Sequence, residues 1–335
     1  MKNPDFNNLL RVLEHKRTEE PVLFEFEMNW PLYEKLAGDH AIAKDDKYCQ
    51  HRTRIRAFAN AGYDYVRWPT LNFNYPLPAR KQNATLSLNE GISIKDQESY
   101  KAYSWPDPEA VDYTSLEVLK PELNEGMKII VNAPNSVLGG TINLAGYENL
   151  CVMLFDDPGL AEKMFNEVGS RLLRFFEIVI KHETVGAIVC NDDWGFKTQT
   201  RLSPFHLRKY VFPWYKKIVA AAHHEGKPVI LHSCGNLADV MDDIINDMKF
   251  DGKHSFEDTI MPVEEAWEKY GQSIAILGGI DMDFLCRETP EKIIKRCKAM
   301  LERTKEKGGY ALGSGNSIPE YIPEANYFAM INSIK

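Results

Sequence analysis

The chain has 335 residues, 44% hydrophobic, 26% charged and 11% aromatic, with 18 Pro and 21 Gly. That composition suits a globular protein with a sizeable core and excludes disordered, collagenous and low-complexity chains. Forty basic against 48 acidic residues leave a net charge of −8, the wrong sign for a nucleic-acid binder, and no apolar run approaches the ~20 residues of a membrane span.

The six cysteines (49, 151, 190, 234, 286 and 297) are dispersed with no CxxC pair. The first twenty residues lack the apolar core of a secretion signal, so the expected location is a reducing cytoplasm. In chain order, PVLFEFE (21–27) and residues 63–67 read as strands. Segment 68–127 fits no strand–helix unit. It carries TLSLNEGISI (85–94), a hairpin turning at Asn89-Glu90-Gly91, and the proline-rich YSWPDPE. The expectation there is an insertion, or lid, over one barrel mouth. Strands follow at 128–133 and, as VGAIVCN, at 185–191. Ser203-Pro204 then supplies an N-cap and a first-turn proline. Leu207, Tyr210, Val211, Trp214, Tyr215, Ile218, Val219 and Ala222 keep the 3–4 spacing of one helix face up to Gly226. After that come strands at 228–232 and 252–255, a short helix near Pro262–Tyr270 and a strand at 273–279. A helix opening at Thr289-Pro290 and a strand at 310–313 complete the chain. Eight strands alternating with helices predict a single (β/α)8 barrel over residues 1–335. No GxGxxG or GxxxxGK[ST] follows any strand, which removes the usual sign of a nucleotide-binding open sheet.

Barrels of this class build their sites where the strands end. Here the predicted ends hold Glu25, Glu27, Trp30, Arg67, Asn132, Asp192, Asp193, Trp194, His232, Cys234, His254, Glu257, Asp281, Ser314 and Asn316. His232 and Cys234 lie two apart on an extended segment, so their side chains point the same way, and imidazole and thiolate are the ligand types zinc prefers. A zinc site needs a third protein ligand, which Glu25, Glu27, Asp193, Glu257 or Asp281 would supply. The competing reading is an inert core cysteine beside a hydrogen-bonded histidine. Adjacent Asp192 and Asp193 face opposite sides, so one of them faces the site, either as acid, base or substrate ligand or simply as a cap or loop-bonding aspartate. Glu25 and Glu27 share a face, and that pairing needs a cation, a metal or a shared proton. Trp30, Trp68, Trp194, Phe73 and Tyr75 would wall a flat or apolar ligand, or pack in the core.

The runs NDDWG (191–195), SPFHLRKYVFPWYKKIVAAAHHEGKPV behind it, LHSCGNL (231–237), ILGGID (276–281) and ALGSGNSIPEYIPEANYFAMI (311–331) resemble the uroporphyrinogen decarboxylase superfamily. Within it they are most similar to the bacterial corrinoid-linked methyltransferase branch. The resemblance covers about residues 125–335 and implies a (β/α)8 barrel with its site at the C-terminal mouth. The decarboxylases' basic RQAGR-like segment is FEFEMNW here, their aspartate segment after strand two is RWPTLNFNY, and their GHG-like histidine is Ser314. The methyltransferase branch pairs H-x-C with a later cysteine on zinc. That pair stands as His232 and Cys234, the later cysteine falls near Ser314, and Cys286 and Cys297 are expected to lie away from the mouth.

The leading expectation is therefore a zinc-assisted methyltransferase. It moves a methyl group between a small methylated substrate, a corrinoid protein and a thiol or folate acceptor. His232 and Cys234 hold the metal, while Glu27, Asp193 and Ser314 serve catalysis. Glu25, Trp30, Arg67, Trp194, Asp281 and Asn316 line the substrate pocket. The corrinoid rides on a separate partner, since the chain has no DxHxxG motif, and a homodimer stays open. The alternatives are a decarboxylase-like lyase in the porphyrin pathway, with Arg67 as its substrate cation, and a non-catalytic small-molecule-binding barrel.

Overall fold

The computed structural model describes residues 3–38, 46–68, 71–77, 89 and 91–335. Seven strands form one sheet in sequence order: β1 (Tyr65–Arg67), β2 (Lys128–Asn132), β3 (Val185–Asn191), β4 (Val229–His232), β5 (Gly252–His254), β6 (Ala275–Leu277) and β7 (Tyr310–Ala311). Every neighbouring pair is parallel. Parallel strands need crossovers, and helices supply them, so the sheet is covered on its faces and its strands are apolar throughout. Ile129, Ile130, Val131, Ala187, Ile188, Val189, Val229, Ile230, Leu231 and Ile276 are all sealed from solvent.

The expected first strand, 21–27, does not join this ladder. Leu23 bridges Leu312, with Phe24 N–H donating to the Leu312 carbonyl at 2.8 Å and Leu312 N–H to that of Val22 at 2.8 Å. On its other flank the segment meets β1 through side chains. The Tyr65 hydroxyl accepts from Glu25 N–H and donates to the Glu25 carbonyl, both at 2.7 Å, and Arg67 donates to the Phe26 carbonyl at 3.0 Å. The sheet is thus curled, with 22–28 touching both edges. The eight-stranded ladder of the sequence reading is not formed, because a phenol and a guanidinium occupy the backbone groups that a ladder would pair.

Helix signals in the second half hold closely. The Ser203 hydroxyl accepts from His206 N–H over a first-turn proline, and Gly226 stops the helix with φ +68°. A five-residue π turn, Leu207–Val211, precedes Phe212–His224. Pro213 has no N–H for the carbonyl four residues back, and the widened turn absorbs that loss. The expected hairpin at 85–94 falls largely outside the described residues. The described parts of 68–127 pack along helix Pro158–Val179: Tyr75 hydroxyl donates to the Val168 carbonyl (3.2 Å), Tyr100 to Glu167 (3.1 Å), and Arg171 to the Pro106 carbonyl (3.0 Å). Among the described residues no helix is long and apolar enough to cross a membrane.

Of the aspartate pair, Asp192 is the structural member. Buried, it accepts from Leu138 N–H (2.8 Å), Gly139 N–H (2.9 Å) and the Tyr215 hydroxyl (2.9 Å), so it fastens the first turn of helix Val137–Ala145 to β3. Asp192→Ala leaves three buried donors unpaired and is expected to lower stability by about 3 kcal/mol, against about 1 kcal/mol for Tyr215→Phe. Urea unfolding at constant slope measures both; equal, small losses would remove Asp192 from this role.

Candidate metal centre

β3, β4 and β5 end side by side, and the residues just past them converge. Asn191 lies opposite His232 in the register, and His232 opposite His254. Asp193, His232 and Cys234 bring one ligand atom each within 4.8 Å of one another. Of the five carboxylates considered for the third position, Asp193 is the one in this group. Its Oδ1 accepts Cys234 N–H at 2.9 Å, which ties the β3 loop to the β4 loop.

Two glycines of the sequence motifs permit that closeness. Gly195 N–H donates to the Cys234 carbonyl at 3.1 Å, and Asn236 N–H to that of Phe196 at 2.7 Å. A Cβ on Gly235, where φ is +87°, would lie 2.3 Å from the Gly195 carbonyl carbon, and one on Gly195 would lie 2.7 Å from Asn236 N. Side chains at either position would wedge the loops apart.

The ring tautomers follow from the hydrogen bonds. A carbonyl can only accept, so His254 Nε2, 3.1 Å from the Ser314 carbonyl, carries a proton. Burial drives the His254 pKa down to about 3, so the ring is neutral and its Nδ1 is bare. His232 Nδ1, 2.7 Å away, must therefore donate to it. His232 Nε2 is left as a lone pair, 3.8 Å from Cys234 Sγ. Burial, then His254, Arg67 and Lys253, holds the His232 pKa well below the ordinary histidine range. The Phe26 ring stacks on His232 with centroids 3.9 Å apart, and the Arg67 guanidinium covers its other side at 4.0 Å.

Around Cys234 Sγ stand Ser255 Oγ at 3.2 Å and Asn316 Nδ2 at 3.3 Å. Ser255 holds φ +83°, a strained backbone for a serine, and so delivers its hydroxyl to the sulfur. Burial first, then the Asp193 carboxylate, pushes the Cys234 thiol up to about 11. A cation has to be present for the thiolate to form at neutral pH.

Ser314 joins the cluster from behind. Its hydroxyl donates to Glu25 Oε1 at 2.6 Å and also contacts the Asn316 carbonyl. Glu25 is fully buried with Oε2 unpartnered, and burial raises its pKa to about 8, the Ser314 bond opposing. Glu27 turns the other way, accepting from Arg54 (2.5 Å) and the Tyr33 hydroxyl (2.9 Å), with Arg67 3.8 Å off. One carboxylate of the pair thus takes a proton and the other takes cations.

Other expected residues lie elsewhere. Trp194 does not wall the mouth: it is fully buried against Phe212, Tyr215 and Phe250, because the turn after Asp193 points it into the helix layer. Asp281 caps helix Met282–Arg287, accepting from Asp283 and Phe284 N–H, and also from Asp258 N–H. Trp30 opens helix Trp30–Ala37 and donates to Glu34. Arg67 is buried with Nε unpartnered; it donates to the Phe26 carbonyl and faces Glu27 at 3.8 Å, so its charge is countered within the fold. Cys297 is buried in helix Pro290–Thr304, as expected. Cys286, expected away from the mouth, borders an open depression of about 1090 Å³ together with Asn316 and Ser317.

Sequence reading passed over Lys253, Ser255 and Arg201. Lys253 is buried inside β5, donates to the Ser255 carbonyl at 2.7 Å and sits 4.1 Å over the Phe256 ring; burial lowers its pKa to about 8. A lysine in a strand reads as surface, and nothing in GKH marks it otherwise.

With the geometry in hand, the relatives can be compared. The profile of the uroporphyrinogen decarboxylase (URO-D) family matches residues 88–335, and the chain belongs to that family. It is 25% identical over 217 residues to a uroporphyrinogen decarboxylase of Myxococcus xanthus, covering 62% of this chain and 58% of that one. With the Geobacter sulfurreducens uroporphyrinogen decarboxylase it shares 23% over 189 residues, 56% and 52% of the two chains. The chain thus spans little more than half the length of these curated relatives. Its fold resembles a solved methyltransferase from Methanosarcina mazei at a TM-score of 0.72 and 14% identity, over 99% of this chain and 98% of the other.

Two outcomes test the site. Side-chain 15N NMR at pH 7 should show His232 protonated on Nδ1 and His254 on Nε2; the opposite pattern would refute the relay. Glu25, ordinarily near 4.5, stays protonated to about 8 in the folded protein. Between those values only the unfolded state is ionised, so stability falls as pH rises from 4.5 to 8, by at most about 4 kcal/mol. Glu25→Gln should remove that loss, its advantage over wild type growing from pH 5 to pH 8 in isothermal unfolding. A pH-independent difference would contradict the raised pKa.

Proposed function

We propose that the chain is a metal-assisted methyltransferase acting on a small methylated substrate, with zinc on Asp193, His232 and Cys234. The observation that carries this reading is the convergence of three ligand atoms with His232 Nε2 already a lone pair. The donor set fits: one thiol, one imidazole of fixed tautomer and one carboxylate, which leaves a fourth position open as catalytic zinc sites require. Zinc bound there would supply Lewis acidity and stabilise a thiolate or a developing oxyanion.

The chain's own groups do the rest. His254 and the Ser314 carbonyl keep His232 Nε2 bare. Asn316 Nδ2 donates to Cys234 Sγ and tempers its charge, and the strained Ser255 stands ready beside it. Glu25 keeps its proton at neutral pH and passes no negative charge to the site. In the same proposal, the curled sheet is a (β/α)8 barrel with 22–28 as its eighth strand, and the insertion 68–127 is its lid. The methyl group passes to or from a corrinoid on a separate protein, with a thiol or folate as the other party, in the cytoplasm. All six cysteines are free, which suits that compartment. A decarboxylase-like role gains nothing from Arg67, whose charge is spent within the fold.

Protein purified without chelator should hold about one zinc per chain, lost in Cys234→Ala and weakened at least tenfold in Asp193→Asn. Elemental analysis decides. No metal in wild type would overturn the proposal and leave a metal-free lyase or a binding barrel.

A further inference from the structure

Beside Asp193 lies a second, smaller cavity of about 210 Å³, lined by Ser136, Asn143, Asn191, Asp193 and Arg201 among others. Arg201 ends a short hairpin: Gly195 bridges Thr200, Phe196 N–H donates to the Gln199 carbonyl at 2.7 Å, and Arg201 N–H to that of Trp194 at 2.6 Å. The Tyr147 hydroxyl donates to the Arg201 carbonyl at 2.7 Å, so the backbone is held from both sides. The hairpin is also fastened to the Cys234 loop through Gly195 and Asn236, which sets Arg201 rigidly against the metal centre.

The guanidinium makes no hydrogen bond among the described residues, and its one ion pair, to Asp193, is long. Its side chain is only 20% exposed, its Nε is buried with no partner, and among the described residues none of its N–H groups meets a protein acceptor within hydrogen-bond range. The one carboxylate beside it, Asp193 Oδ2, stands 3.7 Å from NH2. Phe196 lies 5.5 Å below its plane. Asn191, the last residue of β3, and the Ser136 hydroxyl likewise make no side-chain hydrogen bond to the described protein. No other acidic residue lines the cavity.

Burying an arginine whose hydrogen-bond donors are unfilled is costly, and five such donors in a fixed fork match a planar oxyanion. If Asp193 gives its charge to a cation, Arg201 has no counter-charge left in the cavity. We infer that the substrate carries a carboxylate, received bidentately by Arg201 with Asn191 and Ser136 as further donors, so that the group to be demethylated reaches toward Cys234. This rests on the proposed metal site for its direction, but the anion preference can be tested separately. The cavity is sized for a short acid, which makes the side chain at 201 the specificity determinant for small methylated acids.

Acetate, propionate and methoxyacetate, each against its neutral amide, provide the probes. Affinities are measured by ligand-observed NMR on the full chain, as purified and after chelator treatment, with metal content recorded alongside. Wild type should favour each carboxylate over its amide at least tenfold. Arg201→Gln should abolish the preference, Arg201→Lys should keep part of it, and the near-isosteric Asn191→Asp should lose it through repulsion. Zinc content should stay unchanged in Arg201→Gln, and the unfolding midpoint should not fall. Carboxylates bound no better than amides by wild type, or a preference that survives Arg201→Gln, would overturn the inference. A metal-free wild type that still prefers carboxylates would sink the metal proposal and leave this one standing.

Discussion

The contact between His232 and His254, Nδ1 to Nδ1 at 2.7 Å, is the constraint from which the site follows. Two imidazole nitrogens can meet this closely only if one donates and the other is bare. The Ser314 carbonyl decides which, because it accepts from the far side of His254. The choice is passed along the relay and emerges as a lone pair on His232 Nε2. Three strand ends, those of β4, β5 and β7, must be aligned for this to work, and the unbroken parallel register from β4 to β7 aligns them. A metal-ligating histidine commonly has its other nitrogen held by an outer partner. Here that partner is a second buried histidine.

The same crowding sorts the charges. Burial alone would destabilise every ionised group near these strand ends, and each group escapes differently. Glu25 keeps its proton under the Ser314 hydroxyl. Glu27, two residues on, is paid in arginines instead. Lys253 lies between two carbonyls and an aromatic face with its pKa lowered. The Cys234 thiol stays neutral until a cation arrives. Arg201 is the exception: among the described residues it finds no hydrogen-bond acceptor and only a long ion pair to Asp193, and that is why it points to a ligand.

Much of this was legible in the sequence. Apolar β-branched runs, the Ser203-Pro204 cap and the glycine stops located all seven ladder strands to within two residues, and the later helices with them, because these signals are local. The H-x-C pair was legible for the same reason: two-residue spacing on a strand fixes a shared face. Asp192 and Asp193 had to diverge, and they do. What could not be read was which carboxylate joins His232 and Cys234, since Asp193 arrives by a loop whose path depends on Gly195 meeting Gly235 forty residues away. Trp194 was misplaced by the same turn. The first strand was overcalled because alternation predicts extended backbone but cannot say that a tyrosine hydroxyl will take the place of a neighbouring strand.

The sequence by itself determined the parallel α/β architecture, the family and the His232–Cys234 pair, all of which rest on patterns within a dozen residues or on motif order. The tertiary structure alone decided the tautomer of His232, the proton on Glu25, the choice of Asp193 and the isolation of Arg201. The first three depend on partners 22 to 289 residues distant, and all four on how much water folding excludes around them. Hydrogen-bond direction and desolvation are properties of the assembled interior, so no local pattern encodes them.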